Sequence, residues 1–155
     1  MIATLYSWLL FLHILMAITW VGGAIALQVL GTRIDRTGDP QRVYDTAVDF
    51  EFVGTRVFMP ASLILLGLGI WMVIIGPWSF HQFWVAIALG MFAYSFVSGA
   101  FYIGPTLGKV KRAWEQEGAA SREVPVLVRR IFLASRIELA LLILIVADMV
   151  LKPFL

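Results

Sequence analysis

The chain has 155 residues, of which 61% are hydrophobic and only 14% are charged. Soluble domains carry about 25% charged residues, so this composition excludes an ordinary soluble domain and indicates an integral membrane protein. The chain has no cysteine, which excludes disulfides and thiolate metal sites. The net charge of +2 at pH 7 argues against a nucleic-acid-binding surface.

Four apolar segments are long enough to cross about 30 Å of hydrocarbon at about 1.5 Å per helical residue. They cover residues 5–30, 53–75, 83–103 and 131–151. We therefore predict an all-α fold, in which residues 1–155 form a single integral membrane domain built as a four-helix transmembrane bundle.

The three connections between these segments predict the topology. The first covers residues 31–51 and contains the turn signal Thr37-Gly38-Asp39-Pro40, the second is the short stretch 76–81, and the third covers residues 109–130. The first and third connections hold most of the Lys and Arg residues, and the second holds none. Because positive loops stay in the cytoplasm, we expect an up-down-up-down bundle with His81 and both termini on the non-cytoplasmic side.

His13 is an ionisable residue well inside the first apolar segment. Helical spacing puts His13, Trp20, Ala24 and Gly31 on one stripe, so we expect the imidazole to face the bundle. A neutral imidazole there is a natural axial ligand for haem iron, which would make His13 a metal ligand. The alternative is a histidine that hydrogen-bonds a neighbouring helix and serves only in packing.

Further polar residues lie on the inner faces of the other segments. Trp20, Tyr94 and Ser98 would complete a haem pocket around His13, although such residues also commonly satisfy neighbouring polar groups. Arg56 and Glu138 lie at similar depths on antiparallel helices, so we predict that they form a structural ion pair.

Two residues near the non-cytoplasmic end have open roles. Asp148 has Lys152 four residues away, which predicts an ion pair on one helix, and the alternative is a polar pocket shared with His13. A bis-histidine site of His13 and His81 would require a strong tilt or a dimer, because His81 lies at the membrane interface.

These residues carry a resemblance to known membrane families. His13-Ile14 followed by Thr19-Trp20 and Gly23 resembles the first helix of HemJ-type protoporphyrinogen oxidases, and Met59-Pro60-Ala61 with Gly69 and Trp71 is similar to their second helix. The ending Val150-Leu151-Lys152-Pro153-Phe154 resembles their C-terminus. The same scaffold recurs in CopD-like copper-resistance domains and in uncharacterised bacterial integral membrane proteins, and the likeness to this last group is greatest.

The resemblance implies a multi-pass protein of the bacterial inner membrane in which His13 binds haem b. The oxidases also have a lysine inside the third helix, whereas residues 83–103 contain no charged residue. Three functional hypotheses follow. The first is a haem-b-binding, redox-associated membrane protein. The second is a non-enzymatic subunit or assembly factor, whose basic loops would contact membrane lipids, other membrane subunits or a second copy. The third is a HemJ-like porphyrinogen oxidase.

Overall fold

The computed structural model describes residues 2–153, and every long element in this range is helical. The described α-helices are α1 (Ile2–Ala17), α2 (Gly23–Asp35), α3 (Pro40–Val53), α4 (Met59–Ile75), α5 (Phe83–Ser98), α6 (Gly104–Glu117) and α7 (Glu123–Leu151). Three π-helical turns and one 3-10 turn connect some of them: Ile18–Gly22, Gly54–Phe58, Gly99–Ile103 and Gly118–Ala120. The predicted all-α class is confirmed, while Phe154 of the C-terminal motif lies outside the described residues.

The π turns join the shorter helices into long ones, so the described chain consists of four long helices: α1–α2, α3–α4, α5–α6 and α7. The connections predicted at residues 31–51 and 109–130 are mostly helical in the structure. Only residues 36–39 separate α2 from α3, and residues 118–122 contain the break before α7. The charged residues of these regions lie on helices whose apolar faces pack together, which favours helix over loop.

Three of the long helices are long and apolar enough to cross a membrane: Ala3–Asp35, Pro40–Ile75 and Phe83–Ala120. They contain 33, 36 and 38 residues, whereas about 20 residues suffice to cross the hydrocarbon. Each therefore continues well beyond its apolar segment. The apolar stretch of α7 carries Arg136, Glu138 and Asp148 and is not among the three.

The continuations of the helices form a cap with a hydrophobic core of its own, where α3, α6 and α7 meet. Its buried residues are Ala47, Leu107, Val110, Ala113, Val124, Val128 and Ile131. The rings of Tyr44 and Trp114 stack beside this core with centroids 4.6 Å apart. Burial of these side chains explains why the polar connections fold as helices.

The turns between the long helices use residues suited to their backbone geometry. Asp39 caps α3 by accepting hydrogen bonds from the backbone N–H groups of Gln41 and Arg42, and Pro40 occupies the first turn, where no partner for its nitrogen is needed. Gly38 precedes them with a φ of 67°, a conformation that favours glycine. The predicted turn at residues 37–40 is thus confirmed.

Contacts between elements define which helices are neighbours. Helix α1 packs on α4, α5 packs on α7, and α2 packs on both α3 and α7, while α6 packs on α3 and α7. Helix α3 also contacts α7, so each of the four long helices contacts at least two others, as in a four-helix bundle.

Two of the π turns directly precede a proline in the next helix. Pro60 and Pro105 lack the N–H that would bond the carbonyl four residues earlier, and those carbonyls belong to Arg56 and Phe101, each in the middle of a π turn. The missing bond and the clash of the proline ring account for the wider turn. The first π turn has no such proline. Gly23, which follows this turn, packs closely against the Phe58 ring: a Cβ on Gly23 would lie only 2.6 Å from it.

At the opposite end of the bundle, an aromatic cluster holds the end of α7. The Trp78 indole donates a hydrogen bond of 2.9 Å to the Tyr6 hydroxyl, and the Lys152 ammonium lies 4.0 Å from the centre of the Trp78 ring. Asp148 is buried, and its Oδ2 atom has no hydrogen-bond partner among the described residues. The predicted Asp148–Lys152 ion pair is therefore wrong, because the lysine side chain turns to the indole face instead.

Candidate functional site

A cavity of about 250 Å³ lies in the centre of the bundle. It extends from Trp20 and Leu142 in the apolar region to Asp35 and Leu107 in the cap. All four long helices contribute to its walls, and so do all three π turns. The lining is mainly apolar, with a small number of polar side chains, which is the usual character of a small-molecule site.

A pair of polar side chains joins two helices at the cavity wall. The Ser135 hydroxyl of α7 lies 3.0 Å from Gln28 Oε1 of α2 and 3.1 Å from the carbonyl of Phe132. The Nε2 atom of Gln28 is buried without a hydrogen-bond partner among the described residues. A buried amide with a free end is costly, so this group is available to a ligand or a water molecule.

Glu138 lies one turn further along the same face of α7 and also lines the cavity. Its Oε1 atom lies 3.7 Å from the position that a Cβ on Gly99 would occupy, so the carboxyl group reaches the third π turn. Glycine at position 99 thus leaves room for a carboxyl group between α7 and the third long helix.

Ser95 and Ser62 line the same cavity from α5 and α4. Ser62 donates a hydrogen bond of 2.9 Å to the carbonyl of Met59, which is an ordinary helical arrangement. Ser95 is 0% exposed, and its hydroxyl has no hydrogen-bond partner among the described residues. An unpaired hydroxyl at this depth is the strongest local sign of a binding site, because burial without a partner costs about 1–3 kcal/mol.

His13 lies outside this cavity, in the interface between α1 and α4. A Cβ on Gly69 would lie 3.1 Å from His13 Cε1, so the ring packs closely on the α4 backbone. Its Nδ1 atom is buried without a partner among the described residues. The ring faces a neighbouring helix as expected, and one nitrogen remains uncommitted.

The other residues predicted for a haem pocket are dispersed. Trp20 is buried, lines the central cavity and packs edge to face on Phe92. Tyr94 is 57% exposed, and Ser98 is half-buried but does not line the cavity. Of the four predicted residues, Trp20 alone lines the central cavity, and haem binding at His13 stays a prediction.

The predicted Arg56–Glu138 ion pair is not formed among the described residues. The ion pairs there join Arg42 to Asp39 and Lys111 to Glu51. Arg56 is exposed and lies within the second π turn, whereas Glu138 lines the interior cavity. Leu63 and Trp71, which share a helical face with Arg56, are exposed as well, so this face points away from the cavity in which Glu138 lies.

Sequence reasoning missed Gln28, Ser95 and Ser135 as site residues. The sequence feature that could have identified them is an amide or hydroxyl group within or beside an apolar segment, where an unpaired polar group has a high free-energy cost.

Metal ligands are not gathered at the cavity: in the described part of the chain, no group of three or more His, Asp or Glu side chains could hold a metal ion.

Nearly the whole chain matches one described protein family. Residues 7–153 match the family described as "Predicted integral membrane protein (DUF2269)". The chain belongs to this family. This DUF2269 protein has no significant match among curated proteins or solved structures. The family description mentions neither haem nor copper, so the relation to HemJ-type and CopD-like proteins stays a prediction.

Proposed function

We propose that this protein is a four-helix membrane protein that binds a small, mainly apolar molecule in its central cavity. The observation that carries the proposal is that all three π turns line one cavity. A π turn gives up regular helical hydrogen bonds, and such turns are frequently found at functional sites. Their presence in three separate helices around one space favours a shared role in shaping it.

The size of the cavity sets the size of the ligand. An engineered cavity of about 150 Å³ in another protein accommodates benzene. A cavity of about 250 Å³ therefore suits one substituted ring or a short branched chain. The unpaired Ser95 hydroxyl and the free end of the Gln28 amide favour a ligand that also carries a polar group.

The topology is part of the proposal. Helix α7 crosses the bacterial inner membrane as the fourth span, and both termini lie on the non-cytoplasmic side. Basic residues are concentrated in the cap regions of α2, α3, α6 and the start of α7, which supports a cytoplasmic cap. The same residues suit contact with anionic membrane lipids.

A cavity-filling substitution tests ligand binding. Gly54 lines the cavity, and a Cβ there would have no heavy atom within 4 Å, so Gly54→Leu places a side chain in a space that the fold leaves open. Gly67 has equally open surroundings, is exposed and does not line the cavity, so Gly67→Leu is the matched control. Both variants are purified in detergent and dialysed to equilibrium with neopentylbenzene, with protein-free micelles as the reference.

We expect the wild type and Gly67→Leu to retain more neopentylbenzene than micelles do, and Gly54→Leu to lose most of this excess. Equal retention by the wild type and Gly54→Leu would contradict binding in the cavity.

The absence of cysteine makes the topology easy to test. Ser79→Cys lies in the connection between α4 and α5, and Thr37→Cys lies in the turn between α2 and α3. With a membrane-impermeant maleimide on intact cells, we expect Ser79→Cys to react and Thr37→Cys to react only after permeabilisation. The reverse pattern would overturn the proposed orientation.

Haem binding at His13 is the second candidate function, and the buried, unpartnered Nδ1 atom favours it. The test is the visible spectrum of the purified protein after addition of haem, with His13→Ala as the comparison. A Soret band that depends on His13 supports an axial ligand at this position, and a colourless wild type refutes it. A membrane subunit without a ligand of its own is the interpretation if both the cavity and His13 fail their tests.

A further inference from the structure

The charged side chains that line the central cavity all have the same sign. Among the described residues they are Asp35, Glu51 and Glu138, and no Lys, Arg or His side chain lines the cavity. Because this space lies partly among apolar helices, charges there are poorly screened and interact strongly with a bound molecule. The lining therefore favours a ligand with a positive charge over an anion.

The three acidic residues differ in how far their charge is already balanced. Glu51 forms an ion pair with the Lys111 ammonium, and Asp35 is exposed at the end of α2. Glu138 is half-buried and has neither an ion pair nor a hydrogen bond in the described part of the chain. A ligand that brings a positive charge would supply the counter-ion that the protein does not provide.

An independent feature identifies the same space as a site for a ligand. Ser95 is completely buried on the cavity wall, and its hydroxyl lacks a partner among the described residues. Ser95 is one turn before Gly99, and Gly99 faces Glu138. The unpaired hydroxyl and the unpaired carboxyl group thus belong to one region of the wall between α5 and α7.

Aromatic side chains provide the rest of a cation site. Rings that line the cavity come from all four long helices and are Trp20, Phe50, Phe58, Phe96 and Phe132. The face of an aromatic ring attracts an ammonium group, and this attraction grows when the cation is desolvated. Aromatic walls with one uncompensated carboxyl group are suited to a substituted ammonium ion, which is too poorly hydrated to require a shell of water.

We propose that the ligand of the central cavity is a monovalent organic cation, an ammonium group carried on a small apolar body. This inference rests on the proposed function, since it names the class of molecule that the same cavity binds. Glu138 provides the counter-charge, the aromatic rings contact the apolar body, and Asp35 lies at the cap end of the cavity, where it favours the entry of cations over anions.

Two probes of nearly identical shape test the charge. Benzyltrimethylammonium carries a cationic nitrogen at the position where neopentylbenzene has a neutral carbon. Each is dialysed to equilibrium with the purified protein in detergent, and retention is measured relative to protein-free micelles. The variants are Glu138→Gln, which removes the negative charge with little change in shape, and Glu115→Gln, an exposed acid outside the cavity, as the control.

We expect the wild type and Glu115→Gln to bind the cation at least tenfold more tightly than Glu138→Gln does, while all three retain the neutral probe equally. Equal retention of the neutral probe also shows that Glu138→Gln is folded. If the neutral probe binds as tightly as the cation, or if Glu138→Gln binds the cation like the wild type, the charge inference fails and the proposed function stands. If neither probe exceeds the micelle reference, both fail.

Discussion

Gly31 lies where α2 meets an aromatic side chain from each of α3 and α7, and its replacement tests this packing. Gly31 is buried, and a Cβ there would lie 2.9 Å from Phe132 Cζ and 3.1 Å from Phe50 Cε2. Real Cβ atoms are rarely this close to a ring, so Gly31→Ala must displace two aromatic side chains that also line the central cavity. We expect this substitution to destabilise the protein.

The magnitude follows from a comparison with Gly108→Ala on α6, where a Cβ would meet no heavy atom within 4 Å. Both substitutions gain about 1 kcal/mol of helix propensity, so this contribution cancels between them. Overpacking at Gly31 costs about 1–3 kcal/mol. Gly31→Ala is therefore less stable than Gly108→Ala by about 1–3 kcal/mol, or about 2–12 °C in unfolding midpoint.

Thermal unfolding of the purified variants in detergent, followed by circular dichroism, measures this difference. A second substitution, Phe132→Leu, replaces the ring that the new methyl group meets with a smaller side chain. It should therefore lower the free energy of unfolding less in the Gly31→Ala background than in the wild type, with a coupling of about 0.5–3 kcal/mol. If Gly31→Ala is as stable as Gly108→Ala, or if the coupling is zero, the close contact between α2 and α7 is wrong.

Three further substitutions test contacts elsewhere, each by the same unfolding measurement. Tyr6→Phe removes the hydrogen bond from Trp78 and should cost about 0.5–1.5 kcal/mol, whereas the exposed Tyr94→Phe should cost nothing. Lys152→Met removes a cation–π contact with Trp78 and should cost about 0.5–1 kcal/mol, with no loss if the contact is absent in solution. Glu51→Gln weakens the partly exposed ion pair with Lys111, so the loss in unfolding free energy should stay below about 1 kcal/mol and become smaller at high salt. A larger loss would mean that the carboxylate is fully desolvated.

The π turns connect the fold to the proposed function. Pro60 and Pro105 each remove one helical hydrogen bond, and the wider turns that precede them place Gly54, Gly99 and their neighbours at the cavity wall. A regular helix would present a different set of side chains there. The cavity is therefore a consequence of local helix distortion as well as of the packing of the four long helices.

Much of the fold could be predicted from the sequence, because apolar length is a direct physical requirement for crossing a membrane. The helical class, the turn at residues 37–40 and the short connection after α4 follow from segment length, from the Gly-Asp-Pro signal and from Gly76-Pro77. The helical cap could not be predicted in this way. Its polar helices depend on burial of one face among partners distant in the chain, such as Val110 and Val128, which belong to one buried cluster.

The candidate site was harder to predict than the fold. Glu138 lies on the inner face of its helix as the spacing predicts, since α7 is a regular helix throughout this region and Glu138 lines the cavity together with Ile131 and Leu142. Spacing does not reveal that Arg56, like Leu63 and Trp71 on the same face, points away from the bundle, nor that Ser95 lacks a partner. Whether a polar group is satisfied depends on the neighbouring helices, which spacing along one helix does not specify.

The sequence by itself determined that the chain is an all-helical integral membrane protein without cysteine chemistry, because hydropathy, segment length and composition act locally along the chain. Only the tertiary structure decided that His13 packs on α4 while Gln28, Ser95 and Glu138 surround a separate cavity. The physical reason is that a site is formed by groups brought together from different helices, and small shifts in helix register decide which side chains meet.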